Sequence, residues 1–165
     1  MLQLRAMVIA VFSLLVAAST TLAAESWQSY GDPAAGYSIE APAGFLARRD
    51  DASGHLLLKS GATSIEVYGG LNARRLTAKQ LARQLQEAGG IADITYRAGG
   101  RTWLVLSGHY RREAGDPEPL IYYAKFLFSP DMSRLSGFEM SYPVSQKARM
   151  DDVVAHIQKT FRGPR

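Results

Sequence analysis

The sequence predicts an α+β domain in which an antiparallel β-sheet is flanked by helices on both faces. Short segments that alternate apolar and polar residues are separated by turns rich in Gly and Pro, which is typical of antiparallel strands. Two other segments repeat apolar residues every three or four positions, as amphipathic helices do. Several strands are apolar on both faces, so both faces of the sheet require cover. Together these patterns predict an α-β-α sandwich.

The first 23 residues have the features of a secretory signal peptide. Arg5 supplies positive charge, Ala6 to Ala18 are apolar apart from Ser13, and Thr21-Leu22-Ala23 places small residues where a signal peptidase reads them. The apolar stretch is shorter than the roughly 20 residues of a membrane-spanning helix. We therefore expect cleavage after Ala23, a periplasmic or secreted protein, and no stable membrane anchor.

Residues 24–165 have the size of a single domain with a sizeable core. The sequence contains no cysteine, so neither a disulfide nor a lipid-modified cysteine is expected in the exported protein. The formal net charge is only +4, and the arginine doublets are isolated rather than gathered in a stripe. Nucleic-acid binding is therefore not expected.

The first half of the domain predicts strands followed by one helix. After an apolar entry at Trp27 to Tyr30, the segment Tyr37 to Ala41 alternates as a half-buried strand, and Pro42 ends it. His55 to Lys59 and Thr63 to Tyr68 flank a Ser-Gly-Ala turn and predict a hairpin.

The helix begins with a capping-box pattern. Thr77 and Gln80 have the spacing at which each side chain bonds the other residue's backbone amide. Leu81, Leu85 and Ala88 then form one apolar stripe, and Gly89-Gly90 predicts the end of the helix.

The second half predicts a four-stranded meander and a closing helix. The strands are expected at 93–97, 102–110, 120–128 and 134–142, with a polar loop from Arg112 to Pro119. Pro143 separates the last strand from the helix. That helix carries its apolar residues at i, i+3, i+4, i+7 and i+11, namely Met150, Val153, Val154, Ile157 and Phe161.

Several segments, together with the last helix, carry a family resemblance: Gly36-Tyr37-Ser38-Ile39, Ala41-Pro42-Ala43-Gly44-Phe45, Trp103-Leu104-Val105-Leu106-Ser107-Gly108, Tyr123-Ala124-Lys125, Gly137-Phe138-Glu139 and Tyr142-Pro143. They resemble the bacterial exported relatives of the PsbP-like fold, and the resemblance covers most of residues 27–161. The resemblance implies an α-β-α sandwich around an antiparallel sheet, a fold shared by an extrinsic photosystem II subunit and a Ran-binding nuclear import factor. It also implies a non-catalytic binding or assembly role. Neither photosynthesis nor Ran binding is carried over, because the sequence offers neither partner's recognisable docking segment.

Catalytic and cofactor motifs were sought among the polar residues. Ser107 and His109 are two apart in a predicted strand and so share a face. A nucleophile and its base also need hydrogen-bond reach and an orienting carboxylate, and no G-x-S-x-G turn is present. The three histidines lack metal-ligand spacing, and the glycine pairs lack a phosphate-binding motif. No catalytic residue, metal or cofactor is predicted.

We therefore predict a non-enzymatic exported binding or assembly protein whose partner is a protein or a cell-envelope component. Ser107, His109, Arg111 and Arg112, with the loop that follows, form the predicted interaction surface, because functional contacts are often mounted on loops over a rigid scaffold. One alternative is an exported hydrolase that uses His109 and Ser107. The other is a small-ligand carrier, suggested by the aromatic strand Leu120 to Phe128, although such a strand more often belongs to the core.

Overall fold

The computed structural model describes residues 26–88, 90–112 and 117–165, so the predicted signal peptide lies outside the described residues. The described part holds nine strands, one short 3-10 helix and two α-helices. In chain order they are β1 Trp27–Asp32, β2 Tyr37–Pro42, β3 Leu46–Asp50, β4 His55–Ser60, β5 Thr63–Leu71, α1 Ala78–Glu87, β6 Ile91–Gly99, β7 Trp103–Tyr110, β8 Leu120–Phe128, β9 Arg134–Pro143, the 3-10 helix Val144–Gln146, and α2 Lys147–Thr160.

Seven of the strands form one antiparallel sheet in the order β3-β4-β5-β9-β8-β7-β6, and β1 pairs with β2 in a separate two-stranded sheet. The predicted hairpin β4–β5 and the predicted meander from β6 to β9 are both confirmed. Strand β9 also pairs with β5. It therefore joins the N-terminal strands to the meander at the centre of the sheet.

One face of the large sheet, here called the α2 face, is covered by α2 together with the β1–β2 sheet. Ile39, Val67, Phe138 and Ile157 are each at most 1% exposed in this core. His156 fastens the helix to the small sheet, because its Nε2 lies 2.7 Å from Oε2 of Glu40 and its ring stacks on Trp27 with the ring centroids 3.6 Å apart. The two covering elements thus form a single layer.

The other face, here called the α1 face, is partly covered by α1, which contacts β6 and β7. The predicted capping box is confirmed: the Gln80 amide donates to Thr77 Oγ1 at 3.3 Å, and the Thr77 amide donates to Gln80 Oε1 at 2.9 Å. Leu81 and Ala82 pack with Leu104, Tyr122 and Phe126 of the sheet. Of the predicted Gly89-Gly90 stop, Gly89 lies outside the described residues.

The prediction of a sheet flanked by helices on both faces was wrong. The structure is dominated by strands, and its two α-helices do not make two covering layers. On the α2 face a second sheet shares the covering role with α2, and on the α1 face the ten-residue α1 contacts the end formed by β6 and β7. Strands β7 and β8 are apolar on both faces, as the sequence predicted. On the α1 face, however, the side chains of β3 to β5 are largely polar and need no helix over them.

Candidate interaction surface

The four residues of the predicted interaction surface lie at one end of the sheet. Ser107 and His109 are in β7, opposite Tyr123 and Ile121 of β8, and so face the α2 side. Arg111 and Arg112 directly follow β7 and are exposed. The backbone of Arg111 is fixed because its amide donates to the carbonyl of Gly90 at 2.8 Å. The structure therefore brings these four residues together.

A carboxylate that the sequence reasoning did not identify holds His109 in place. Asp93 Oδ1 lies 3.0 Å from His109 Nδ1 and accepts the backbone amide of His109 at 2.9 Å. Both side chains are about half exposed, at 55% for Asp93 and 41% for His109. Because Nδ1 is engaged by Asp93, Nε2 is the ring nitrogen that an approaching partner would meet.

An irregular pairing of β6 with β7 makes this contact. The register shifts between Ile91 and Asp93 and again between Ile94 and Tyr96, as at a β-bulge, which re-aims side chains. The approach is so close that a Cβ on Gly108 would lie 1.9 Å from the carbonyl oxygen of Asp93. Glycine at position 108 is therefore required for the pairing that sets Asp93 beside His109.

Ser107 does not act with His109 in the described structure. The Ser107 carbonyl accepts the hydroxyl of Thr95 at 3.3 Å, but no hydrogen bond joins the Ser107 side chain to His109 among the described residues. A nucleophile–base pair requires that bond. Of the contacts that the alternative hydrolase hypothesis requires, the structure contains the carboxylate beside His109, which is Asp93. The hydrogen bond from Ser107 to His109 is absent from the described residues.

Tyr96 adds a large aromatic side chain to the same end of the sheet. It pairs with Ser107 across the β6–β7 ladder and is 56% exposed. Because Ser107 pairs with Tyr123 of the α2-face core, Tyr96 lies on the α2 side. We call this region the β6–β7 surface; its residues are Asp93, Tyr96, Ser107, His109, Arg111 and Arg112.

On the α1 face, the central strand β9 holds a carboxyl group, Glu139, that the sequence reasoning assigned no role. The Tyr68 hydroxyl donates to Glu139 Oε1. Burial is the main reason that the pKa of Glu139 is raised; the Tyr68 bond opposes the shift and the nearby charge of Glu66 adds to it. The sequence feature that could have identified Glu139 is its isolation, because it is the single charged residue between Leu135 and Pro143.

Three tyrosines surround this carboxyl and remain neutral phenols. Burial, followed by the charge of Glu139, raises the pKa of Tyr68, Tyr110 and Tyr122 well above the ordinary tyrosine value. Tyr110 packs edge-on against Tyr122 with the ring centroids 5.2 Å apart. The Tyr122 hydroxyl is buried and has no hydrogen-bond partner in the described structure, although it lies near the Glu139 carboxyl. Burial raises the pKa of Glu139 because an ionised carboxylate loses its hydration in this interior.

The repeated tripeptide Ser-Gly-His does not form a repeated structure. Ser107-Gly108-His109 lies within β7, whereas Ser53-Gly54-His55 lies at the turn into β4, where Gly54 has a φ of 69°. The His55 ring stacks on Tyr68 with the centroids 5.2 Å apart. The two histidines are therefore on different parts of the sheet.

Residues 26–88, 90–112 and 117–165 contain no group of three His, Asp or Glu side chains able to hold a metal ion. In the same ranges, no helix combines the length and the apolar character needed to cross a bilayer.

Comparison with known proteins gives structural likeness without sequence likeness. No protein-family model matches the chain, and no curated protein sequence matches it. Among solved structures, the Ran-binding protein Mog1p of Saccharomyces cerevisiae is similar, with a TM-score of 0.58, 9% identity, and coverage of 84% of this chain and 96% of Mog1p.

Two further solved structures share the architecture. Cyanobacterial PsbP (CyanoP) from Synechocystis has a TM-score of 0.57 and 14% identity, and the match covers 86% of this chain and 95% of CyanoP. A protein from Bacteroides thetaiotaomicron has a TM-score of 0.55 and 9% identity over 83% of this chain and 48% of its own length. The chain therefore has the fold shared by PsbP and Mog1p, as the resemblance of its segments implied, even though the predicted layer arrangement was wrong.

Proposed function

We propose that this chain is an exported, non-enzymatic binding module that engages a protein or cell-envelope partner through the β6–β7 surface. The observation that carries the proposal is the 56% exposure of Tyr96, which lies opposite Ser107 on the same face as His109, whose ring is held by Asp93 at 3.0 Å. Tyrosine and arginine are the residues that most often contribute binding energy at protein interfaces. A pre-positioned side chain also loses less conformational entropy when a partner binds.

The position of this surface in the fold supports the same proposal. Helix α2 makes its main contacts with β2 and β9, and α1 packs on the opposite face of β6 and β7. The β6–β7 surface therefore lies on a rigid sheet beside the covering layer, and its two arginines begin the loop that follows β7. Mog1p is described as Ran-binding, so the fold is used elsewhere to bind a protein.

The cellular location is part of the proposal and has its own test. We propose that residues 1–23 direct export and are removed. Fractionation of the producing cell should then place the protein outside the cytoplasm, and N-terminal sequencing of the recovered protein should begin at Ala24. Recovery of the uncleaved chain from the cytoplasm would contradict the proposed export.

Site-specific crosslinking tests the proposed surface. Because the sequence contains no cysteine, an introduced cysteine is the single thiol that a crosslinker can modify. Arg111→Cys would carry a thiol-linked photocrosslinker at the β6–β7 surface. Lys79→Cys, at an exposed position of α1 on the opposite face, is the matched control. Irradiation in the native compartment should yield a discrete adduct from position 111 and a much weaker one from position 79.

A second substitution shows whether the adduct reports specific binding. Adding Tyr96→Ala to Arg111→Cys removes the exposed aromatic ring but leaves the probe in place, so the adduct should fall about tenfold, as for the loss of an interface hot spot. Equal adducts from positions 79 and 111, or an adduct that Tyr96→Ala does not reduce, would exclude the β6–β7 surface as the binding site.

A further inference from the structure

A second feature on the α2 face is an open cavity of about 390 Å³ between the start of β7, the end of β8 and the C-terminal end of α2. This volume lies in the range of small-molecule sites. Its wall includes Trp103, Val105, Lys125, Leu127, Gln158 and Pro164. None of these residues belongs to the β6–β7 surface.

Lys125 is the charged group of the cavity, and its charge has no counterion in the described structure. The ammonium donates to the carbonyl of Gln158 at 2.8 Å, but no carboxylate of the described residues forms an ion pair with it. Burial, and then the charge of Arg162, lowers the pKa of Lys125. A half-buried cation without a counterion is destabilising, so an anion placed beside it gains a favourable interaction.

The geometry of the ammonium leaves room for such an anion. A lysine ammonium carries three N–H donors, and one of them serves the Gln158 carbonyl. That carbonyl lies in the last turn of α2, where a positive charge is favoured by the helix dipole. The helix end therefore positions Lys125 while two donors remain for a ligand.

Beside Lys125 and the polar Thr102 and Gln158, the wall contains apolar and aromatic side chains. Trp103 is 39% exposed, and its Nε1 lies so close to Gly100 that a Cβ there would be only 2.7 Å away. Gly100 thus leaves room for the indole against the β6–β7 turn. Val105 and Leu127 share the α2 face of the sheet with the indole. An apolar or aromatic group would bury its surface against these three side chains.

We propose that this cavity binds a small amphipathic carboxylate, with the carboxylate at the Lys125 ammonium and the apolar body against Trp103. The anion supplies the counterion that Lys125 lacks, and the apolar body covers the exposed indole. This inference is independent of the partner surface proposed above, because it uses a different set of residues.

Titration with matched probes tests the inference. 2-Naphthoate and decanoate present a carboxylate on an aromatic and an aliphatic body, and 2-naphthamide is the uncharged counterpart of the first. Binding is followed by the NMR resonance of the Trp103 indole N–H, assigned with Trp103→Phe. The Trp27 indole, which stacks on His156, is an internal reference that should not move.

We expect at least one carboxylate to bind saturably and shift the Trp103 resonance, and 2-naphthamide to bind at least about tenfold more weakly than 2-naphthoate. Lys125→Gln should weaken carboxylate binding by a similar factor and leave the amide unchanged. Lys79→Gln, on the far side of the sheet, is the matched control and should have no effect. A thermal melt verifies that each variant is folded.

Four results would overturn the inference. The first three are the absence of saturable binding by both carboxylates, equal affinity for 2-naphthoate and 2-naphthamide, and unchanged carboxylate affinity in folded Lys125→Gln. A shift of the Trp27 resonance in place of that of Trp103 would place the ligand elsewhere and would equally exclude this cavity.

Discussion

At the scale of single residues, Glu139 shows how burial controls the state of an ionisable group. The carboxyl lies in the central strand β9, opposite Glu66 of β5 and bonded to the Tyr68 hydroxyl. Its raised pKa means that the folded protein binds a proton at Glu139 more tightly than the unfolded chain does. Folding is therefore favoured by protonation at this position, and ionisation weakens the fold.

This linkage predicts a pH-dependent effect of Glu139→Gln. Wild-type stability should fall, through this group, as pH rises from the ordinary carboxyl value of 4.5 through the raised pKa of Glu139. The Gln side chain does not titrate, and its oxygen still accepts the Tyr68 hydroxyl. In urea unfolding, the variant should therefore become more stable relative to wild type as the pH is raised from 4 to 8.

Other carboxyls titrate in both proteins and cancel in this comparison. Glu87→Gln, at an exposed position at the end of α1, is the matched control for replacing one Glu by Gln. A gain in stability by Glu139→Gln at pH 4 but not at pH 8 would show that folding lowers the pKa of Glu139 rather than raising it.

The site residues show what a sequence reveals at this scale. The shared face of Ser107 and His109 followed from the two-residue period of a strand. Asp93 could not be assigned to His109, because the contact depends on a register shift that residue spacing does not record. Glu139 was visible as an isolated charge in an apolar strand, but its burial depends on Tyr68 and Tyr122 of other strands.

At the scale of elements, the β6–β7 hairpin depends on a close backbone approach at Gly108. A Cβ at this position would meet the carbonyl oxygen of Asp93 at 1.9 Å and its carbon at 2.8 Å. Backbone atoms cannot yield as the end of a flexible side chain can. Any side chain at position 108 must therefore move the edge strand β6 away from β7.

Gly108→Ala should consequently destabilise the protein by about 1–3 kcal/mol, the range found for overpacked sites. Gly44→Ala is the matched control, because nothing lies within 4 Å of a Cβ at Gly44, and it should be neutral or slightly stabilising. Chemical denaturation gives both values. Equal stability of the two variants would show that β6 and β7 are not in close contact at this position.

Helix α1 provides a second prediction at this scale. Thr77→Ala removes the side chain that accepts the Gln80 amide, so the free energy of unfolding should fall by about 1 kcal/mol. Thr77→Ser keeps the hydroxyl and should retain most of the stability. If the two variants were equally destabilised in urea unfolding, the loss would come from packing rather than from the cap.

The elements that the sequence predicted well are those with a strong local signal. The capping box marked α1, the apolar repeat marked α2, and strand β8 begins and ends where its aromatic run does. Strand β3 was missed because its residues, Leu46 to Asp50, lie at the sheet edge, exposed or nearly so, and carry no alternation. Charged residues such as Arg48 suit an edge strand, since they oppose pairing with other chains.

At the scale of the whole molecule, the central sheet separates two cores of different construction. The β1–β2 sheet and α2 share the cover on the α2 face, and α1 serves the β6–β7 end of the α1 face. The sequence indicated that the sheet needed cover on both faces, but it did not indicate that a second sheet would supply part of it. Strands β1 and β2 form a hairpin. The position of this hairpin over the large sheet depends on contacts between residues far apart in the sequence, such as His156 with Glu40.

This asymmetry leaves the β6 end of the sheet, with Tyr96 and the Asp93–His109 pair, as the place where a partner gains most from a rigid scaffold. The central claim is therefore one of position: the partner binds at the end of the sheet formed by β6 and β7.

Hydrogen–deuterium exchange of the protein with and without the partner recovered by crosslinking tests this claim most directly. The account predicts slower amide exchange on binding in residues 91–112, with little change in α1 or in β3. Protection confined to α1 or β3, with exchange in 91–112 unaltered, would contradict it.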